Sequence, residues 1–234
     1  MTLFRSIILL LAIAQHLNFG HAQEKLPRVL IIGDSVYHQP AAETARALEG
    51  KVEIVLARLG PGEVCNTGTA LEKLDDWLAE GEWDLVHFNF GLGDLVYRAP
   101  SMRAFRVYPR HAGGERATSP EQYEKNLRNL VRRLKKDAAG AKLVWASTTP
   151  IRHSSTDVFA LGSEIDYNAI AARVMAEHQV PTNDMYHYVR SLIDMGKPAS
   201  HGADPFHFDK KPIHQPIVAS ICSRLGIPEP GAGN

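Results

Sequence analysis

A run of four aliphatic residues that ends in a polar turn constrains the fold more than any other feature of this sequence. Residues 29–32 read Val-Leu-Ile-Ile and are followed by Gly33, Asp34 and Ser35. A short apolar run rich in β-branched residues is typical of a strand buried on both faces of a parallel sheet. Gly33 permits a sharp change of chain direction. Asp34 and Ser35 are therefore expected at the carboxyl end of the strand, the edge where open α/β sheets bind ligands.

Strand-like and helical segments alternate along the rest of the chain. Apolar runs and period-two patterns predict further strands at residues 52–56, 84–90, 142–147 and 180–185. Helical periodicity predicts helices at residues 40–48, 69–78, 119–136, 163–175, 185–195 and 209–225. This alternation predicts an α/β fold: a three-layer α/β/α, doubly wound parallel five-stranded sheet in the flavodoxin-like order 2-1-3-4-5.

In that strand order the first and third strands are neighbours, and a crevice opens at their carboxyl ends. The third strand ends in Gly91-Leu92-Gly93-Asp94, so we expect this turn to face Ser35 across a cleft. The segment that follows, residues 95–118, shows no clear periodicity and is rich in arginine. It is interpreted as a solvated loop, with a loop that meets an anionic substrate as the alternative.

The first 22 residues have the pattern of a secretory signal peptide. Arg5 supplies a positive charge, residues 6–14 are almost wholly apolar, and Gly20-His21-Ala22 offers small residues for cleavage. The apolar stretch is too short for a membrane span, and no later segment is long enough for one. The sequence thus predicts a signal peptide at 1–22, a mature domain at 23–234 and an extracytoplasmic location, periplasmic or secreted. An uncleaved N-terminal anchor is the alternative.

The composition argues against some classes of partner. The chain has 26 basic and 26 acidic side chains and a formal net charge of zero, which does not indicate a nucleic-acid binder or a polybasic membrane-surface protein. Cys65 and Cys222 are the only cysteines; a pair is possible in an exported protein, and two free thiols are the simpler interpretation. No Cys-x-x-Cys spacing is present to indicate a metal site. The oligomeric state is left open.

The chemistry of an alcohol nucleophile calls for a base within hydrogen-bond reach and a group that orients the base. A late segment, Asp204-Pro205-Phe206-His207, supplies such a pair, because a carboxylate three residues before an imidazole can fold back onto the ring. Ser35, His207 and Asp204 are therefore the candidate nucleophile, base and acid. The alternative is a zinc site made of His201, Asp204 and His207.

These motifs resemble those of the SGNH hydrolases, the GDSL-type esterases and lipases. Gly33-Asp34-Ser35 is similar to the family's first block, Asp204 with His207 to its last, and Gly91–Asp94 lies where the third block is expected. The resemblance implies an exported serine esterase that hydrolyses a small acyl ester, often acetyl and possibly on a carbohydrate. The reaction would pass through an acyl-enzyme on Ser35. No metal or cofactor is implied, and the partner is a small-molecule or glycan ester.

The third block departs from the family pattern, because Gly93 stands where the family has an asparagine that donates to the oxyanion. Loss of one such donor costs about a hundred- to a thousandfold in turnover. Backbone N–H groups of Ser35, Gly93 and the loop at 60–68 are the remaining candidates, with Gly62 and Asn66 preferred and Cys65 and Gly68 also in reach. An SGNH-fold glycan-binding protein with weak or no activity is the alternative function. If the missing amide limits turnover, Gly93→Asn is expected to raise it.

Three further residues are candidate substrate contacts: Asp34, His38 and Asn89. Each also has a simpler interpretation. The Asp34 carboxylate can bond backbone N–H groups of its own turn, His38 can be merely exposed, and Asn89 belongs to the predicted third strand.

Overall fold

The structure, a computed structural model, describes residues 25–100, 107–152, 157–197, 208 and 211–231. Within these ranges the strands are β1 (Arg28–Ile32), β2 (Glu53–Leu56), β3 (Leu85–Phe88), β4 (Tyr97–Arg98), β5 (Glu115–Arg116), β6 (Lys142–Ala146) and β7 (Thr182–Asn183). The helices are α1 (His38–Ala47), α2 (Thr67–Ala79), α3 (Leu92–Leu95), α4 (Pro120–Asp137), α5 (Ser163–Glu177), α6 (Met185–Leu192) and α7 (Gln215–Leu225).

Five of these strands form one parallel sheet in the order β2-β1-β3-β6-β7. Counted along the chain, this is the predicted order 2-1-3-4-5, and the predicted fold class is confirmed. The remaining two strands, β4 and β5, pair antiparallel in a separate ribbon. They lie in the segment predicted as a loop, because strands of two residues are too short to show a period-two pattern.

The sheet separates two hydrophobic layers. On one face the buried side chains of α2, α4 and α5 pack on Leu30 and Ile32 of β1. On the other face α1, α6 and α7 pack on Val29 and Ile31. All four of these β1 side chains are inaccessible to solvent, as expected for the apolar run that opens the domain.

Local signals place most helix starts. Ser119 caps α4 by accepting the backbone N–H of Gln122 at 3.3 Å, and the apolar stripe of that helix is buried: Tyr123, Leu127, Leu130, Val131 and Leu134. The helix α5 starts at Ser163 as predicted, with Gly162 as its N-cap, and the Ser163 hydroxyl donates back to Ala160 at 2.6 Å. The last helix starts six residues later than predicted, at residue 215 instead of 209.

The two cysteines lie on opposite faces of the sheet. Cys65 belongs to the layer of α2, α4 and α5, and Cys222 to the layer of α1, α6 and α7. Both are buried and free, so the simpler interpretation of unpaired thiols is confirmed. None of the helices in the described ranges combines the length and the apolar character that a membrane crossing requires.

Candidate active site

Ser35 lies where the chain leaves the carboxyl end of β1. It begins a single 3-10 turn, Ser35–Tyr37, that leads directly into α1. Gly33 is required here, because a Cβ at this position would lie 2.6 Å from Cγ of the buried Tyr37 ring. Ser35 itself is exposed. Neither its hydroxyl nor its backbone N–H is hydrogen-bonded to another described residue.

Asp34 holds this turn from within. Its Oδ1 accepts the backbone N–H of Val36 at 3.0 Å, while Oδ2 is buried and has no hydrogen-bond partner among the described residues. Burial, partly opposed by the bond from Val36 and assisted by the nearby charge of Asp94, raises the pKa of Asp34 to about 6. The bond from Val36 agrees with the simpler interpretation of Asp34, and the residue also lines the cleft.

The opposite wall is the turn after β3, which forms the short helix α3. At Gly93 an added Cβ would lie 2.0 Å from the carbonyl oxygen of Cys65 and 3.0 Å from a methyl group of Val64. The backbone of the loop before α2 therefore occupies the space that a side chain at position 93 would need. Asparagine cannot be placed at this position without displacing that loop, so the structure argues against the expectation that Gly93→Asn raises turnover.

Asp94 fixes the two loops to each other. Its carboxylate accepts the backbone N–H of Thr67 at 3.1 Å and the Thr67 hydroxyl at 2.6 Å, at the first turn of α2. The Asn126 amide of α4 donates to the same hydroxyl at 3.0 Å, and Thr118 donates its backbone N–H to the Asp94 carbonyl at 3.0 Å. Burial raises the pKa of Asp94 to about 6, although the bonds that the carboxylate receives from Thr67 and from the Thr118 side chain lower it.

A cleft of about 550 Å³ separates the two turns. Ser35 and Gly93 both line it, so the predicted juxtaposition of these turns is confirmed. The segment that follows β2 forms the wall between the two turns. The other residues that line the cleft are mostly apolar: Asp34, His38, Leu56, Ala57, Arg58, Leu59, Gly60, Glu63, Val64, Cys65, Leu92, Val96, Val107 and Phe159.

The candidate contact residues separate into two groups. Asp34 and His38 line the cleft with Ser35. Asn89 is 1% exposed and its amide donates to the Ala146 carbonyl at 2.9 Å, so it joins β3 to β6 and does not border the cleft. The structure therefore places Asn89 in a structural position.

The preferred oxyanion donors in the loop at 60–68, Gly62 and Asn66, are not among the residues that line the cleft. Gly62 is exposed with a left-handed φ of 76°, and the Asn66 side chain caps α2 by accepting the N–H of Thr69 at 2.8 Å. Val64 and Cys65, which lie between them, border the cleft instead. The position of this loop depends on the long-range contacts of Asp94 with Thr67, which the sequence alone does not show.

Asp204 and His207 lie outside the described residues, as does His201 of the alternative zinc site. Within the described ranges, no group of three or more metal-ligating side chains is suited to hold a metal ion. A second Asp-x-x-His pair is described: the Asp184 carboxylate accepts a hydrogen bond from Nδ1 of His187 at 2.7 Å at the start of α6. This pair follows the edge strand β7 and does not line the cleft. Its spacing in the sequence is the same as that of Asp204 and His207.

Cys65 is the other potential nucleophile at the cleft, and its environment disfavours the thiolate. Burial raises the pKa of the Cys65 thiol well above its usual value, and the carboxylates of Asp34 and Asp94 raise it further. Only the thiolate attacks a carbonyl efficiently. Among the described residues, Ser35 is therefore the better placed nucleophile of the two.

Two arginines of the segment at 95–118 have structural partners. Arg110 pairs with Asp157 at 3.2 Å, and the Arg116 guanidinium lies 5.6 Å from the ring centre of Tyr97. These contacts favour the simpler interpretation of that segment over an anion-binding loop.

Solved structures share this architecture over most of their length. An acetyl xylan esterase has a TM-score of 0.62 and 12% identity over 83% of this chain and 99% of its own. A lipase/acylhydrolase from Enterococcus faecalis has a TM-score of 0.61 and 15% identity over 85% of this chain and 97% of its own. A GDSL-like lipase from Bacteroides thetaiotaomicron has a TM-score of 0.57 and 12% identity over 84% and 88%. By sequence, neither a protein-family model nor a curated protein matches.

Proposed function

We propose that this chain, which has the SGNH hydrolase fold, is a serine hydrolase that cleaves carboxylic esters outside the cytoplasm. The observation that carries the proposal is the position of Ser35. It is exposed at the carboxyl end of β1, without a described hydrogen-bond partner, and borders a cleft together with Gly93. The acetyl xylan esterase and the two lipases that share the fold are consistent with this chemistry.

The proposed mechanism uses Ser35, His207 and Asp204. The Ser35 hydroxyl attacks the ester carbonyl while His207 accepts its proton, and Asp204 orients the imidazole. His207 then returns the proton to the leaving alcohol, which leaves the acyl group on Ser35. A water molecule, deprotonated by His207, attacks the acyl-enzyme and releases the carboxylic acid and free Ser35.

Backbone N–H groups are the proposed oxyanion donors in place of the missing asparagine. Those of Ser35 and Gly93 have no acceptor among the described residues, and both residues border the cleft. Gly62 and Asn66 remain weaker candidates because neither lines the cleft. Donors fixed by the backbone cost little reorganisation during the reaction.

The narrower predictions remain part of the proposal. They are a signal peptide at 1–22, a mature domain at 23–234, and an acetyl or other small acyl ester, possibly on a carbohydrate, as substrate. Mass measurement of the protein recovered from culture medium or periplasm tests the first two, since cleavage removes the first 22 residues.

The test of the reaction is hydrolysis of p-nitrophenyl acetate together with labelling by a fluorophosphonate probe. We expect Ser35→Ala and His207→Ala each to lower kcat/KM by about 10⁴-fold or more, and Ser35→Ala to abolish labelling. His187→Ala is the matched control, because His187 belongs to the other Asp-x-x-His pair, and its activity should stay near wild type. Full activity in Ser35→Ala would exclude the mechanism.

His38 is the described imidazole at the cleft, and His38→Ala tests whether it serves as base instead. A loss in His38→Ala equal to that expected for His207→Ala, with His207→Ala active, would reassign the base. The second candidate function, a glycan-binding protein, is favoured by Gly93 in place of the amide donor. It predicts binding of an acetylated oligosaccharide without probe labelling.

A further inference from the structure

The cleft beside Ser35 is larger and more apolar than an acetyl group needs. Its volume of about 550 Å³ lies within the range of pockets that enclose drug-sized ligands, roughly 300–1,000 Å³. An acetyl group has only three non-hydrogen atoms. Aliphatic side chains are the largest group in its lining: Leu56, Ala57, Leu59, Val64, Leu92, Val96 and Val107.

The polar side chains that line the cleft are partly engaged: those of Asp34 and Glu63 are bonded within the protein, whereas His38 and Arg58 are exposed. Asp34 is 6% exposed and one of its oxygens is bonded to Val36. Glu63 accepts the backbone N–H of Gly60 at 2.7 Å and pairs with Lys73 at 3.1 Å. The aliphatic share of the lining, rather than a lack of polar groups, therefore favours an apolar ligand portion in this cleft.

Val107 leaves apolar surface exposed at the mouth of the cleft. It is 50% exposed and still lines the cavity. The backbone holds it there, because residue 107 forms an isolated bridge with Arg98 and the next N–H, that of Tyr108, bonds the Tyr97 carbonyl at 2.9 Å. A ligand chain lying in the cleft would cover this side chain and remove its apolar surface from water.

We infer that this cleft binds the acyl group of the substrate and that the acyl group is an aliphatic chain longer than acetyl. The inference rests on the proposed function, because it is Ser35 that would carry the acyl chain. Burial of one methylene is worth about a fourfold gain in kcat/KM. The chain-length preference is therefore a direct measure of contact with the apolar wall.

The experiment compares p-nitrophenyl acetate, butyrate, hexanoate and octanoate, each below its micelle concentration. We expect kcat/KM to rise by at least about tenfold from acetate to hexanoate. A parallel series of acetate esters with lengthening alcohols distinguishes the two ends of the substrate. Highest kcat/KM on acetate, or a rise confined to the alcohol series, would overturn the inference.

Val107→Asp tests which wall contacts the chain. The position is exposed enough to accept a charge, and we expect the hexanoate-to-acetate ratio to fall at least about threefold. Leu161→Asp is the control, because Leu161 is 58% exposed but does not border this cleft, and its ratio should match wild type. An unchanged ratio in Val107→Asp would overturn the assignment of this cleft to the acyl chain.

Failure of the proposed function gives a different result. If no ester in the series is hydrolysed in a Ser35-dependent manner, the hydrolase proposal fails. Calorimetric titration of the wild-type protein with octanoate then decides the inference. Saturable binding that Val107→Asp weakens would support an apolar chain in this cleft, and absence of binding would overturn it.

Discussion

The two turns that face each other across the cleft are built alike and held differently. Each follows a central parallel strand, contains a glycine that a neighbour crowds, and buries an aspartate whose pKa rises to about 6. Asp34 bonds Val36 of its own turn. Asp94 bonds Thr67, which is 27 residues away in the chain. The turn that carries Ser35 is thus fixed locally, and the turn that carries Gly93 is fixed by another loop.

Because of this difference, we expect substitutions in the two turns to have different effects on stability. The β1 turn needs only Gly33, Asp34 and the ring of Tyr37, which lie within five residues. The β3 turn cannot move without the first turn of α2, because Gly93 touches the Cys65 carbonyl and Asp94 binds Thr67. The proposed nucleophile therefore lies on a turn that is stabilised by its own residues, and the opposite wall lies on a turn that is stabilised by hydrogen bonds to another loop.

The largest effect is expected from a side chain at position 93. Gly93→Asn places atoms 2.0 Å from a backbone oxygen, and overpacking of this kind costs about 3 kcal/mol or more. We expect the free energy of unfolding in urea to fall by this amount and ester hydrolysis to decrease. Ser35→Ala is the control, because an exposed serine should change stability by no more than about 0.5 kcal/mol. Higher turnover with unchanged stability would show that the loop at 60–68 can move to accept the new side chain, and would contradict this prediction.

The next effect compares the two aspartates directly. Asp94→Ala leaves the N–H and the hydroxyl of Thr67 without their acceptor, which we expect to cost about 3 kcal/mol. Asp34→Ala removes one bond, from Val36, and should cost about 1 kcal/mol. Urea unfolding of both variants measures the difference. Equal costs would contradict the view that only the β3 turn is held by a network.

The smallest effect is a change in how stability depends on pH. Burial raises the pKa of Asp94 from 3.8 to about 6, so between these values the folded protein holds a proton that the unfolded chain releases. The Asp94 contribution to the free energy of unfolding is therefore lost as pH rises from about 4 to 6. Asp94→Asn removes this loss, and its stability should rise relative to wild type by about 2 kcal/mol across that range.

His87 gives the control of opposite sign. It is fully buried on β3 and its Nε2 lies 3.0 Å from the Asn183 amide. Burial lowers the pKa of His87 from 6.5 to about 4, so its contribution to stability is lost as pH falls through that window. His87→Gln should therefore flatten the acid side of the stability profile, where Asp94→Asn steepens it. Unfolding curves between pH 4 and 7 that show the same change for both variants would contradict these assignments.

Much of the fold could be predicted from short-range patterns. The β1 run, the Ser119 cap and the buried stripe of α4 each depend on residues within a few positions, so they were placed correctly. The ribbon of β4 and β5 and the start of α7 were not, because neither has a local signal strong enough to set its ends. The second Asp-x-x-His pair shows the reverse, since its local spacing gives no sign of its distance from the cleft.

Local patterns place the strands, and Ser35 at the carboxyl end of β1, because strand periodicity and a glycine-led turn depend on neighbouring residues. The alternation of strands and helices then predicts the strand order. The sequence also marks Gly93 as a departure from the third-block pattern, but the reason that glycine stands there is visible only in the folded protein. The Cys65 carbonyl occupies that space, and this contact follows from the long-range bond between Asp94 and Thr67. The apolar cleft likewise combines residues from five separate segments, and only folding brings their surfaces together.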